Sequence, residues 1–170
     1  MESTQPTPVK RLAVLAGMGL FWFAVAGLGG WLTAQSVSTW YPTLAKPAFN
    51  PPAWVFGPVW TTLYLLLALG GWLIWQRRQG QGPTETDGLF WPIYWLNGLL
   101  NVAWSLTFFT LQSIPGGMVI ILLVVLAALA LVWLARDLAP RLAWIFAPYL
   151  AWVSWASVLN LNILLLNGAG

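Results

Sequence analysis

From Phe90 to Ala135 the chain reads FWPIYWLNGLLNVAWSLTFFTLQSIPGGMVIILLVVLAALALVWLA, 46 residues without a charged side chain. One helical crossing of a bilayer takes about 20 apolar residues, so this run is twice what a single crossing needs. Near its middle stands Ile114-Pro115-Gly116-Gly117. Proline removes a backbone donor and crowds the preceding turn. The expectation is two antiparallel helices, 90–112 and 117–135, joined by a tight turn at 114–117.

The same reading extends outward in both directions. Residues 12–45, 47–76 and 142–170 are also free of charge, and they predict helices at 12–34, 54–76 and 142–166. The apolar run of the first is longer than the roughly 7–15 residues of a signal-peptide core, which favours a retained helix. Pro42, Pro47, Pro51 and Pro52 deny helical continuity to the connection at 35–53. Residues 77–88, rich in Gly, Gln and Thr, read as a solvated loop. Hydrophobic residues make up 59% of the chain and charged residues 6%. A water-soluble domain is about 25% charged, so the composition specifies a membrane protein. The predicted fold class is therefore all-α: an N-terminal tail at 1–11, then one domain of five transmembrane helices over 12–170, with a lid loop at 35–53.

Composition excludes several chemistries. With no His and no Cys, the chain has no Ser-His or Cys-His nucleophile pair, no usual zinc or iron–sulfur ligand set and no disulfide. No cofactor and no metal are expected, and no catalytic residue is assigned. The carboxylates Glu2, Glu85, Asp87 and Asp137 all lie outside the apolar runs, which argues against an intramembrane proton relay. The basic residues sit at the ends of apolar segments rather than on a soluble face, which argues against nucleic acid as a partner. Lys10, Arg11, Arg77, Arg78, Arg136 and Arg141 share the N-terminal side of five crossings, and only Lys46 lies on the other. The positive-inside rule then expects a cytoplasmic N-terminus in a bacterial cell membrane, with the C-terminus opposite.

Fourteen Trp are present. An interfacial role suffices for those near predicted helix ends, such as Trp31, Trp40, Trp54, Trp75, Trp91, Trp133 and Trp144. It does not suffice for Trp60, Trp104, Trp152 and Trp155. At about 1.5 Å per residue, Trp60 and Trp104 lie roughly 9 and 12 Å from the lid-side ends of their helices, and Trp152 lies near mid-helix. Residues three or four apart share a helical face. Trp60 with Tyr64, Asn101 with Asn97, Trp104 or Ser105 and Phe108, and Trp152 with Pro148, Ala156 and Asn160 thus form three faces that mix rings with amides or hydroxyls. Two readings stay open. The amides are interhelical hydrogen-bond glue and the rings are packing, or the faces wall an aromatic pocket with a few orienting polar groups. Small residues at intervals of four, Ala143, Ala147 and Ala151 in the last helix and Ala26 and Gly30 in the first, predict close packing inside the bundle or a homodimer seam. Pro148 predicts a kink in the last helix that frees the Trp144 carbonyl.

Several ordered strings carry a family resemblance. Trp40-Tyr41-Pro42-Thr43-Leu44-Ala45-Lys46-Pro47-Ala48-Phe49-Asn50-Pro51-Pro52 is followed by Trp54-Val55-Phe56-Gly57-Pro58-Val59-Trp60-Thr61-Thr62-Leu63-Tyr64. Leu100-Asn101-Val102-Ala103-Trp104 and Pro148-Tyr149-Leu150-Ala151-Trp152 come later. Together they resemble the tryptophan-rich sensory protein family, also called the translocator protein or peripheral benzodiazepine receptor family. The resemblance implies a five-helix membrane bundle, commonly a homodimer among membrane lipids, that binds porphyrins in a cavity capped by its first loop. It places ligand contacts at Trp60, Tyr64, Asn101, Trp104, Trp152 and Ala156, with Pro51, Pro52 and Phe56 on the lid side. Leu161 and Leu165 stand where the family's sterol-associated motif has Tyr and Arg, which argues against sterol recognition. The expected function is tetrapyrrole binding for trafficking or stress-linked regulation, with Lys46 as the cation nearest the propionates. Light-dependent oxidative breakdown of the bound porphyrin, and a lipid- or sterol-sensing or interaction role, are the alternatives.

Overall fold

The computed structural model describes residues 6–79 and 81–168. Glu2 and the rest of 1–5 in the tail, Gly80 in the loop and the last two residues lie outside the described residues. Five long helices account for most of the chain, and no strand occurs among the described residues.

Helix α1 (Pro8–Ala34) starts earlier than its apolar run, because the Thr7 hydroxyl accepts from the Lys10 amide and Pro8 stands in the first turn. A short 3-10 turn, Ala53–Val55, leads into α2 (Phe56–Arg78), whose last turn sets Arg77 and Arg78 against the negative end of the helix dipole. Helix α3 (Glu85–Ser105) opens with a capping box between Thr84 and Asp87 and continues as a π-helical turn, Leu106–Thr110. Helix α4 (Ile114–Leu138) is capped by the Ser113 side chain, α5 (Pro140–Ala143) is a single turn, and α6 (Ala147–Asn167) completes the bundle.

Two proline expectations are corrected. The break between α3 and α4 falls at 111–113, where Gln112 has φ 53°, and Pro115 occupies the first turn of α4. Gly116 and Gly117 are needed for close approach instead. A Cβ on Gly117 would sit 2.7 Å from Phe108 Cδ2. Nor does Pro148 kink a continuous helix. The chain turns at 144–146, Pro148 stands in the first turn of α6, and the Trp144 carbonyl accepts from the Ala147 amide at 3.4 Å. In both places a proline begins a helix, the position where its missing donor costs nothing.

The helices form a ring in the order α1, α2, α6, α4, α3, with α2 and α6 meeting most sparingly. The half of the ring nearer the N-terminus is solid. Trp22, Leu67, Phe90, Tyr94, Leu131 and Phe146 are almost wholly buried there, and the Trp22 indole donates to Tyr94 Oη at 2.7 Å. The outer surface is as apolar as the core: Leu20, Phe23, Leu65, Leu126 and Leu165 are all more than 60% exposed. Hydrocarbon is the solvent that tolerates such a surface. The segments Pro8–Ala34, Ala53–Arg78, Ile114–Leu138 and Pro140–Asn167 are long and apolar enough to cross a membrane. Helix α3 is less apolar, because Trp91, Pro92, Tyr94, Trp95, Asn97 and Asn101 interrupt its aliphatic residues.

At the solid end the α2–α3 loop is stapled. Arg78 reaches Asp87 through Nη2 at 2.7 Å and Nε at 3.1 Å, and the Thr84 amide and hydroxyl donate to the same carboxylate. Burial by itself would raise the Asp87 pKa, but the Arg78 and Thr84 hydrogen bonds outweigh it and hold the carboxyl below its usual range. A lowered folded-state pKa adds stability above the unfolded value of about 3.9 and loses it as pH falls toward the folded one. Asp87→Asn should cost about 1–2 kcal/mol at pH 7. Melting curves of the variant in detergent should also lack the wild type's extra acid sensitivity below about pH 3.9.

Candidate functional site

The half of the ring nearer the first loop is hollow. A cavity of about 360 Å³ opens between α1, α2, α3 and α6, under the loop residues Val37, Tyr41 and Ala53. From α2 come Phe56, Trp60 and Tyr64; from α3, Asn101 and Trp104; from α6, Trp152 and Ala156. Each group follows the three-to-four spacing of a helical face. Trp60 is the hub. Its ring centroid lies 5.3 Å from Tyr64, 6.5 Å from Trp104 and 6.3 Å from Trp152, the last edge-on at 90°. Phe56 packs edge-on against Trp152 at 6.1 Å, and Phe108 stacks on Trp104 at 5.5 Å. Trp155 leans on Trp152 at 5.0 Å from outside the lining.

Both readings of the amides hold, at different residues. Asn97 is fully buried glue: its Nδ2 donates to the Val124 carbonyl, and its Oδ1 accepts from Tyr149 Oη at 2.6 Å. Asn101 joins that network and also lines the cavity. Its Nδ2 reaches the Asn97 carbonyl and Tyr149 Oη, each at 2.7 Å, and its Oδ1 accepts from Tyr64 Oη at 3.4 Å. Asn160 likewise accepts from Trp104 Nε1 at 3.3 Å and donates to the Ile114 carbonyl. Two indole donors have no such partner. Trp152 Nε1 is buried without an acceptor, and Trp60 Nε1 has no hydrogen bond among the described residues.

Three expectations about the loop side and α1 change. Pro51 and Pro52 do not line the cavity. Pro52 is extended, with ψ 143°, and caps the 3-10 turn that presents Ala53 and Phe56 instead. Lys46 is held by its own loop. Its Nζ donates to the carbonyls of Leu44 at 2.7 Å, Tyr41 at 2.8 Å and Pro42 at 3.2 Å, and sits 5.0 Å from the Tyr41 ring centre. An ammonium has three donors, and all three are used. Third, Ala26 and Gly30 line the cavity with Thr33, and a Cβ on Gly30 would meet nothing within 4 Å. In the last helical segment Ala143 is buried in the bundle while Ala151 faces outward.

The first loop is tied down over the cavity. The Asn167 side chain exchanges a pair of hydrogen bonds with the Ala45 backbone at 2.8 and 2.9 Å, and Ser36 Oγ donates to the Phe109 carbonyl at 2.6 Å. Tyr41 Oη donates to Asn50 Oδ1 at 2.9 Å. Burial raises the Tyr41 phenol above its ordinary pKa and the Asn50 bond works the other way, so it remains a neutral group. Tyr41, Val37, Phe109 and the α1 wall are lining residues that ring-and-amide counting does not find. Only the period of small residues along α1, Ala26, Gly30 and Thr33, points to that wall.

No carboxylate, cation or metal-binding cluster lines this cavity among the described residues. What it offers chemically is an apolar aromatic surface with neutral donors and acceptors. The comparisons agree with that architecture. A model of the TspO/MBR family matches residues 18–166. The tryptophan-rich protein TspO of Chlorobaculum tepidum is 38% identical over 161 residues, covering 94% of this chain and 97% of its own length. Its namesake from Archaeoglobus fulgidus is 37% identical over 145 residues, covering 85% and 90%. The translocator protein of Homo sapiens is 37% identical over 121 residues, covering 71% and 70%. With most of its length matched and an apolar bundle as its fold, the chain belongs to the TspO/MBR family of integral membrane proteins.

Proposed function

We propose that the protein binds a porphyrin-type tetrapyrrole in this cavity, for trafficking or for stress-linked control of its level. The observation that carries the reading is the convergence of Trp60, Trp104 and Trp152 from three helices on one apolar cavity. A flat macrocycle stacks on such rings. Pockets for drug-sized ligands occupy about 300–1,000 Å³, and this one lies at the lower end. The propionates would therefore remain at the watery loop side. The unpaired donors on Trp60 and Trp152 are groups that an acceptor on a guest would satisfy after a small ring rotation. In the same reading α3 is the fifth crossing, its polar residues turned inward onto the Asn97–Asn101–Tyr149 network, and the six basic residues at the N-terminal end face the cytoplasm of a bacterial cell.

Quenching of intrinsic fluorescence on titration with protoporphyrin tests the site. Trp60→Phe and Trp152→Phe should each weaken binding about fivefold, the scale of a lost aromatic contact. Unchanged affinity in both would remove the site. Because Lys46 is spent on its own loop, Lys46→Met should leave the ratio of affinities for protoporphyrin and its dimethyl ester as it is. The variant should instead speed amide exchange across 41–46 by about tenfold or more, the worth of its charge-assisted bonds. A selective loss of the diacid would show that Lys46 leaves its carbonyls for the ligand.

A second reading is breakdown of the bound porphyrin in light with dioxygen as the oxidant and oxygen source, the excited macrocycle as sensitiser and the lining indoles as neighbours that would be oxidised with it. Illumination that bleaches the complex no faster than free porphyrin in detergent would dispose of it.

A further inference from the structure

At the opposite end of the bundle, where the last turn of α2 approaches the link between α4 and α6, a second hollow of about 530 Å³ is lined by Arg77, Ala139, Pro140, Arg141 and Leu142. Its floor is apolar, with Ala139 buried and Leu142 half-buried, and its rim carries two exposed guanidinium groups. Neither Arg77 nor Arg141 has a side-chain partner among the described residues. Among those residues no carboxylate lines the hollow: Asp87 holds Arg78 at 2.7 Å, Asp137 accepts from Thr86 Oγ1 at 2.6 Å, and Glu85 is exposed outside the lining. Of the described charges at this end, six are basic (Lys10, Arg11, Arg77, Arg78, Arg136, Arg141) and three acidic (Glu85, Asp87, Asp137). Trp144, 78% exposed, follows the hollow in sequence and has the character of an interfacial anchor.

We propose that this hollow is a binding site for the headgroup of an anionic phospholipid. Two unpaired guanidinium forks suit the oxygens of a phosphodiester. The apolar floor receives the glycerol and upper acyl region, and the chains continue down the lipid-facing surface. A zwitterionic headgroup would bring its ammonium to two like charges, with no carboxylate in the lining to receive it. Basic pockets at helix ends commonly hold anionic headgroups. The site uses no residue of the aromatic cavity and does not depend on what that cavity binds.

Native mass spectrometry of the full chain released from detergent, titrated with phosphatidylglycerol or phosphatidylcholine, tests it. The wild type should prefer phosphatidylglycerol. Arg77→Gln with Arg141→Gln should lower that preference about twenty-five-fold, roughly fivefold for each basic residue. Arg136→Gln, an exposed charge at the same end but outside the hollow, should keep it. Protoporphyrin titration of the double variant should match the wild type. Retention of the preference by the double variant, or an equal loss in Arg136→Gln, would reduce the effect to diffuse surface charge and overturn the site. Displacement of phosphatidylglycerol by millimolar inorganic phosphate would assign the hollow to the free anion and overturn the lipid.

Discussion

Gly30→Phe is expected to abolish protoporphyrin binding while leaving the bundle folded. Gly30 stands in the α1 stripe formed with Ala26 and Thr33, all of which line the cavity, and a Cβ there meets nothing within 4 Å. A benzyl group at that point takes a large share of about 360 Å³. Affinity should fall about a hundredfold or more, roughly 2.7 kcal/mol. The fold should tolerate the change, because leaving glycine in a helix recovers about 0.5 kcal/mol and a ring entering an empty cavity adds contacts rather than overlaps. Titration with protoporphyrin beside a melting curve reads both effects. Gly17→Phe is the control, since Gly17 is exposed near the other end of α1 and also has open space at its Cβ. Equal binding by wild type and Gly30→Phe would mean that the guest sits elsewhere on the protein.

That wall shows where sequence reasoning reaches and where it stops. In a membrane chain the charge-free runs report helices directly, because lipid leaves a polar group few places to go. The same rule made Trp60, Trp104, Trp152 and Asn101 legible, since each sits too deep for an interfacial role and carries a polar atom that needs a partner. The α1 wall carries no polar signal. Glycine and alanine allow close packing as well as open space, and only the position of the neighbouring helix decides between them. Helix ends are hard to read in sequence for a related reason. Pro115 and Pro148 looked like breaks, yet proline is equally at home in a first turn. The Ser113 cap was the residue that marked the start of α4. For Lys46 the sequence shows a lone cation in a loop, which suggests an external anion. Its partners are backbone carbonyls, which every sequence has and none displays.

Gly71→Ala should be among the most destabilising single-methyl changes in the bundle, and its contrast with Gly98→Ala separates fixed from movable neighbours. A Cβ on Gly71 would lie 2.6 Å from Tyr94 Oη and 2.7 Å from its Cζ. Tyr94 cannot retreat. It is fully buried, stacked at 5.9 Å on Phe90, edge-on to Trp22 at 5.5 Å, and its hydroxyl donates to the Leu67 carbonyl at 2.9 Å while accepting from Trp22 Nε1. Glycine-to-alanine in a helix recovers about 1 kcal/mol. Overpacking against a fixed ring costs about 1–3 kcal/mol, and displacing the hydroxyl leaves buried groups unpaired at about 1–3 kcal/mol more. The net loss should be about 1–5 kcal/mol on these terms. At Gly98 the overlap is nominally worse, 2.5 Å to Phe21. Phe21, however, is only partly buried, and the next neighbour, Val25 Cγ2, stands back at 3.2 Å, so Gly98→Ala should cost less than Gly71→Ala. Unfolding of both variants in graded denaturing detergent reads the difference. If Gly98→Ala proves the more damaging, the immobility of the Tyr94 cluster is not what holds the solid half of the bundle together.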